Sequence, residues 1–111
     1  MATVVYCVQD LLFSSKIREV CQRLGARAVA ARPPDLIDKA KQAALVVLDL
    51  RLPSAIALLD ELRTNGVTAS VVGFVDHERE EIFAAAGALR CRALPKGKFS
   101  SELPKIIASL S

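Results

Sequence analysis

Asp10 and Asp49 carry the chemistry this sequence can offer. Each closes an apolar run: Thr3-Val4-Val5-Tyr6-Cys7-Val8 leads through Gln9 to Asp10, and Leu45-Val46-Val47-Leu48 leads directly to Asp49. Two carboxylates held close together repel, and at least one is pushed toward its neutral form unless a cation compensates. Mg²⁺ suits such a pair, because it prefers oxygen ligands and keeps several of its waters. A carboxylate beside Mg²⁺ can act as a nucleophile toward phosphorus when the phosphoryl oxygens meet donors and positive charge, and a nearby lysine would complete that set. The bland account of Asp49 is a strand-end carboxylate neutralised by Arg51 or Lys96 with no chemistry at all. For Asp10 it is a cap on the first helix.

Other reactive residues form weaker patterns. His77, the one histidine, sits in Asp76-His77-Glu78 at an expected helix start and reads as an exposed or capping residue; no nucleophile motif accompanies it. Cys7, Cys21 and Cys91 are odd in number and widely spaced, so they make neither a disulfide framework nor a CxxC pair and read as small buried hydrophobes. Nothing in their spacing suggests zinc. Gly73-Phe74 lies inside an apolar run and lacks the glycine spacing of a nucleotide cradle.

The acids matter only if the fold brings them together. Short apolar runs alternate with segments of helical spacing, which points to an α/β domain. Strands are expected over Thr3 to Val8, Ala26 to Ala30, Leu45 to Asp49, Ala69 to Val75 and Arg90 to Leu94. Between them, Phe13, Ile17, Val20, Cys21 and Leu24 share one helical face ending at Gly25. Asp35 to Gln42 is a short helix, and Pro53-Ser54 opens one carrying Ile56, Leu59 and Leu62, with Gly66 beyond its end. His77 to Ala86 stops at Gly87. A last helix carries Leu103, Ile106, Ile107 and Leu110, capped by Ser100 or Ser101, which puts Pro104 in its first turn. Right-handed crossovers make this (βα)5 chain a doubly wound parallel sheet of order 2-1-3-4-5, flavodoxin-like. Ligands in that architecture bind beyond the carboxyl ends of the strands, where Asp10 and Asp49 should face one another.

Composition narrows the classes. The chain has 111 residues, 52% of them apolar and 24% charged, enough for one domain spanning 1–111 with an ordinary core. Its longest aliphatic stretch, Ala43 to Leu48, is far short of the about 20 residues a membrane helix needs. The first fifteen residues carry no Lys or Arg, so the layout of a secretory signal is missing and the protein reads as cytoplasmic. A net charge of +3, few aromatics and no recognisable reading helix speak against nucleic acid as the main partner, although Arg90, Arg92, Lys96, Lys98 and Lys105 make the C-terminal fifth basic.

With these elements in place the sequence resembles the receiver domain of two-component response regulators, from about Thr3 to Leu110. The most specific piece is Leu45-Val46-Val47-Leu48-Asp49-Leu50-Arg51-Leu52-Pro53, which looks like the family's phospho-acceptor strand and following loop; Gly87-Ala88 resembles the Gly-Ala before its last strand. The resemblance implies Asp49 as acceptor, and Asp10, Asp49 and the Arg51 backbone carbonyl as ligands of a weak Mg²⁺ site. It also implies a lysine after the fifth strand as phosphoryl partner. The departures are specific. Gln9 stands where the family has an acid, Val75 where it has a switch Ser or Thr, and Leu94 where it has the lysine. Lys96, two residues on, is the candidate phosphoryl partner, and Lys98 a second.

Two readings follow from that resemblance. In the first the chain is a stand-alone, degenerate, pseudo-receiver-like domain acting mainly as a protein interaction module and requiring no cofactor. In the second it is a working phosphorelay receiver, at most phosphorylating and dephosphorylating itself at Asp49 with Mg²⁺ and a histidine kinase as donor. By resemblance, Arg90, Arg92, Lys98 and Phe99, on the face of the fourth helix, fifth strand and fifth helix, dock a kinase or a signalling effector. A homodimer through that face is open. Ser111 follows the last helical stripe by one residue, so no output domain is expected within the chain.

Overall fold

Five parallel strands pair in the order β2-β1-β3-β4-β5, with helices on both faces of the sheet. The computed structural model describes residues 1–110; Ser111, with the expectation placed on it, lies outside the described residues. The strands are β1 (Thr3–Cys7), β2 (Arg27–Ala30), β3 (Leu45–Asp49), β4 (Ser70–Val75) and β5 (Cys91–Pro95). The helices are α1 (Leu11–Leu24), α2 (Leu36–Ala40, entered by a 3-10 turn over Pro33–Asp35), α3 (Ala55–Thr64), α4 (Glu80–Ala88) and α5 (Lys96–Ala108). No described helix is long and apolar enough to cross a membrane.

β3 is buried along its whole length, as its unbroken apolar run requires of a central strand covered on both sides. Alternate residues feed two cores. Val46 and Leu48 pack with Leu36, Leu58, Leu59 and Leu62 under α2, α3 and α4. Leu45 and Val47 pack with Ile17, Val20, Phe74, Phe99, Leu103 and Ile107 under α1 and α5. Each fully buried side chain of this kind contributes about 1.5–3 kcal/mol. The three cysteines are buried and unbridged; burial pushes the Cys91 thiol up to about 12 and, with a smaller contribution from nearby carboxylates, that of Cys7 up to about 11.

Helix boundaries differ from the sequence reading at α2, which ends at Ala40 and not at Gln42, and more widely at α5 and α4. α5 begins at Lys96, directly after Pro95, so Pro104 lies in the helix interior and neither Ser100 nor Ser101 caps it. The cause is Phe99, fully buried and one turn before Leu103 on the same stripe; its packing overrides the poor helix propensity of Gly97. α4 starts at Glu80 and runs through Gly87 to Ala88. The left-handed residue that turns the chain into β5 is Arg90, at φ 62°, whereas Gly25 and Gly66 take the left-handed positions expected of them. Arg90's carbonyl is held by Nη2 of Arg63 at 3.0 Å, and Arg63 also donates to the carbonyls of Leu89, Val67 and Ala69. One guanidinium thus ties the end of α3 to the loops entering β4 and β5.

Candidate functional site

β1 and β3 are adjacent and in register, Cys7 opposite Leu48, so the residues that follow each strand emerge at the same rim. Asp10 and Asp49 meet there, in an open cleft of about 370 Å³ lined with Gln9, Arg51, Leu52 and Pro53. Asp10 has turned into the cap of α1: its Oδ1 accepts from the backbone N–H of Leu12 (2.8 Å) and of Phe13 (3.2 Å). Those bonds, that of Phe13 foremost, hold its carboxyl below the usual carboxylate range, with Arg51 adding to the effect. Asp49 is different in kind, being only 2% exposed.

A buried carboxylate needs a partner, and the one it has is Arg51. Nε donates to Asp49 Oδ1 at 2.9 Å, Nη2 donates to Oδ2 at 3.0 Å, and the Arg51 backbone N–H donates to Oδ1 at 3.0 Å. Nη2 also reaches Oδ2 of Asp10 at 3.4 Å, so one guanidinium spans both acids. Asp49, then Asp10, raise the guanidinium's pKa above its ordinary value. Its Cζ stands over two rings, 5.1 Å from the centroid of Phe74 and 5.5 Å from that of Phe13. These rings stack at 4.3 Å, and Phe99 closes the cluster 4.7 Å from Phe74. The loop that delivers Arg51 depends on a close approach: a Cβ on Gly73 would stand 2.6 Å from Cγ and Cδ1 of Leu50. Gly73 thereby lets the chain after Asp49 fold back across β4.

Donor chemistry at this rim does not fit a divalent cation as the residues stand. Both oxygens of Asp49 and one of Asp10 are directed at a fixed positive group, and Arg51 enters the site through its side chain and amide N–H. Among the described residues no three His, Cys, Asp or Glu side chains converge, and no buried side-chain nitrogen or oxygen lacks a partner.

Several expected site residues are placed elsewhere. Lys96, the candidate phosphoryl partner of Asp49, instead donates to Oδ1 of Asp76 at 2.7 Å. As the first residue of α5 it lies beside the end of β4, and Lys98 is exposed on the next positions of the helix. Val75 is fully buried among apolar groups, and Leu94 packs against the ring cluster. Phe99 does not belong to a docking face: it is fully buried beneath α5, where its ring is part of the core. Arg90 and Arg92 are exposed, with Arg92 paired to Glu102 at 2.8 Å. They border a groove of about 480 Å³ on the strands' amino-terminal side, with Lys105 on its rim and Leu45, Val72 and Ile106 on its floor. His77 is exposed beside Glu78. The Arg51 fork was visible in the sequence only as one of two cations near Asp49; its spacing, two residues past a strand-end acid, is the signal that favours it over Lys96.

The sequence matches no protein-family model and no curated protein. Solved structures match over almost the whole chain. A response regulator receiver domain protein from Clostridium thermocellum is 14% identical, covering 99% of this chain and 94% of its own, with a TM-score of 0.82. The chemotaxis protein CheY4 of Vibrio cholerae is 14% identical over 100% and 99%, with a TM-score of 0.80. A CheY-like protein (tadZ) from Pseudomonas aeruginosa PAO1 is 20% identical over 100% of both chains, with a TM-score of 0.77. At these identities the agreement is one of fold, and in fold the chain is receiver-like.

Proposed function

We propose that this chain is a cytoplasmic, receiver-like signalling domain that acts mainly by binding other proteins, with Asp49 held as a closed carboxylate instead of a phospho-acceptor. The Arg51 fork is the observation that carries the reading. A nucleophilic carboxylate must present a lone pair to phosphorus, and both oxygens of Asp49 are turned to one guanidinium inside a site that is 2% exposed at that residue. Two further features support it. Val75 has no hydroxyl to bond a phosphoryl oxygen, and Lys96 is engaged with Asp76. Arg90, Arg92 and Lys98, exposed near β5 and α5, suit a partner with an acidic surface.

The test is incubation of the intact protein with Mg²⁺ and a small acyl phosphate, read by intact mass with Asp49→Asn as control. No gain of a phosphoryl group at Asp49 is expected, and no binding of beryllofluoride. An acid-labile gain that disappears in Asp49→Asn refutes the closed site and makes the protein a phosphorelay receiver. Partners captured by the wild type should be lost with Arg92→Glu and Lys98→Glu; retention moves the interaction to another face.

A further inference from the structure

The acid rim contains one group that the closed-acceptor reading leaves without a role beyond blocking. Arg51 touches three carboxylate oxygens from two strands' ends, and its Cζ stands within cation–π reach of two aromatic rings. A side chain that merely neutralised Asp49 would need neither Asp10 nor a ring platform. The platform fixes the fork over both acids, and ring faces favour an organic cation while offering no oxygen to a metal ion. Every buried polar side-chain atom among the described residues is already satisfied.

We propose that Arg51 is the built-in cation of the Asp10–Asp49 pair, so that the native protein excludes divalent metal from this rim and becomes able to hold it only when the guanidinium is removed. The inference rests on the closed-site reading but concerns its cause. A dication that takes both acids must displace a guanidinium bound to Asp49 through two parallel hydrogen bonds and reaching Asp10 with its other arm, and the next carboxylate, Asp76, is paired with Lys96. Without the guanidinium, Asp10 and Asp49 present free oxygens in a cleft open to water, which is the donor type that Mg²⁺ and Mn²⁺ take.

Mn²⁺ is the probe, titrated into the full chain while the amide signals of Asp10, Leu11 and Leu50 are followed for paramagnetic broadening by NMR. Wild type should show no saturable broadening at millimolar Mn²⁺. Arg51→Ser should gain at least about tenfold in apparent affinity, with a metal-dependent rise in melting temperature that wild type lacks, and both should vanish in Arg51→Ser/Asp49→Asn. Saturable binding by wild type at these amides overturns the proposal; so does a folded Arg51→Ser that binds no better than wild type. Should Arg51→Ser not fold, Arg51→Gln is titrated instead, since it retains a donor for Asp49 and part of the stem over the rings but no charge; a gain over wild type supports the proposal and no gain overturns it. Phosphoryl gain by wild type would refute the closed-site reading, whereas failure of the Arg51 variants to bind Mn²⁺ refutes this inference alone.

Discussion

Removing the guanidinium should cost more stability than any other single change at the rim. In Arg51→Met the unbranched apolar stem still covers Phe13 and Phe74, and the backbone N–H bond to Asp49 Oδ1 remains, but the 2.9 and 3.0 Å side-chain bonds are gone. A carboxylate that is 2% exposed is left without its charged partner, a loss of about 3–5 kcal/mol for a buried pair. The Arg51 side chain is itself 28% exposed, so water screens part of the attraction and the lower end, about 3 kcal/mol, applies. The 3.4 Å arm to Asp10 lies between partly exposed groups and adds little. For a domain of this size about 3 kcal/mol is a fall of roughly 10–20 °C in melting temperature, or of about 1–2 M in urea midpoint. With one Tyr and no Trp, far-ultraviolet circular dichroism is the suitable probe. The decisive comparison is the double-mutant cycle. In the Asp49→Asn background Arg51→Met should cost only about 1 kcal/mol, because no buried charge is stranded. A cost under about 1 kcal/mol in the wild-type background, or one unchanged by Asp49→Asn, refutes the claim that the fork is a tight buried pair.

The remaining predictions concern the frame around the fork. Gly73→Ala places a methyl 2.6 Å from Leu50 and should lower the urea midpoint by the equivalent of about 1–3 kcal/mol, Leu50→Ala in the same background giving part of it back. Arg63→Met strands the carbonyls of Val67, Ala69, Leu89 and Arg90 and should cost at least about 1.5–3 kcal/mol; Arg63→Lys should not restore it, since an ammonium lacks the fork that reaches four acceptors. The thiols of Cys7, Cys21 and Cys91, all raised by burial, should be inert to a disulfide reagent at pH 8 in the native protein and react in urea; fast reaction of the native form at any of them contradicts its placement. Asp10, Asp35 and Asp76 are each held below their ordinary values, by the backbone N–H of Phe13, by Lys39 and by Lys96 in turn. Their contribution is therefore complete above the unfolded pKa of about 3.9 and is lost as pH falls through the acid range. The urea midpoint should drop between about pH 5 and pH 3, and less steeply in Asp76→Asn.

The strand order and the meeting of Asp10 with Asp49 were legible because both follow from periodicity and from where apolar runs end. β3 is buried on both faces, so its composition alone locates it at the centre, and the acid at its end must lie at the rim. The cation was only half legible. Arg51 and Lys96 are both near Asp49 in a doubly wound sheet, and the choice depends on Phe13 from α1 and Phe74 from β4, whose rings shelve the guanidinium from two distant segments. Lys96 was lost to Asp76 for a related reason: starting α5 at Lys96 shortens the loop that would have carried it across. That early start reflects Phe99, whose burial is a tertiary fact invisible to helix propensity. The same burial removes Phe99 from the docking face. At Gly87 the pattern misled because a glycine in a helix is costly but tolerated, and Arg63 supports the strained turn at Arg90 instead.

The departures at the rim make sense together as an exchange of charges. Where the resemblance implies two adjacent acids after β1, a third on β3 and a dication among them, this chain has Gln9, Asp10, Asp49 and a guanidinium: one negative charge fewer, and one positive charge fewer. The lysine after β5 is a further positive charge missing from the rim, since Leu94 stands in its place and Lys96 is paired with Asp76, so the one positive charge that remains is a tethered one. A dication is exchanged with solvent, so the state of the acids can follow an external event; a guanidinium two residues along the same chain is present whenever the protein is folded, and its binding is part of folding itself. Restoring the acid at position 9 by Gln9→Asp while keeping Arg51 should therefore not create a metal site. Combined with Arg51→Ser it should tighten Mn²⁺ binding beyond Arg51→Ser alone, since the site then regains the oxygen and the charge that the pair lacks. If Gln9→Asp by itself confers saturable Mn²⁺ binding, the acid count governs the site and the tethered cation does not.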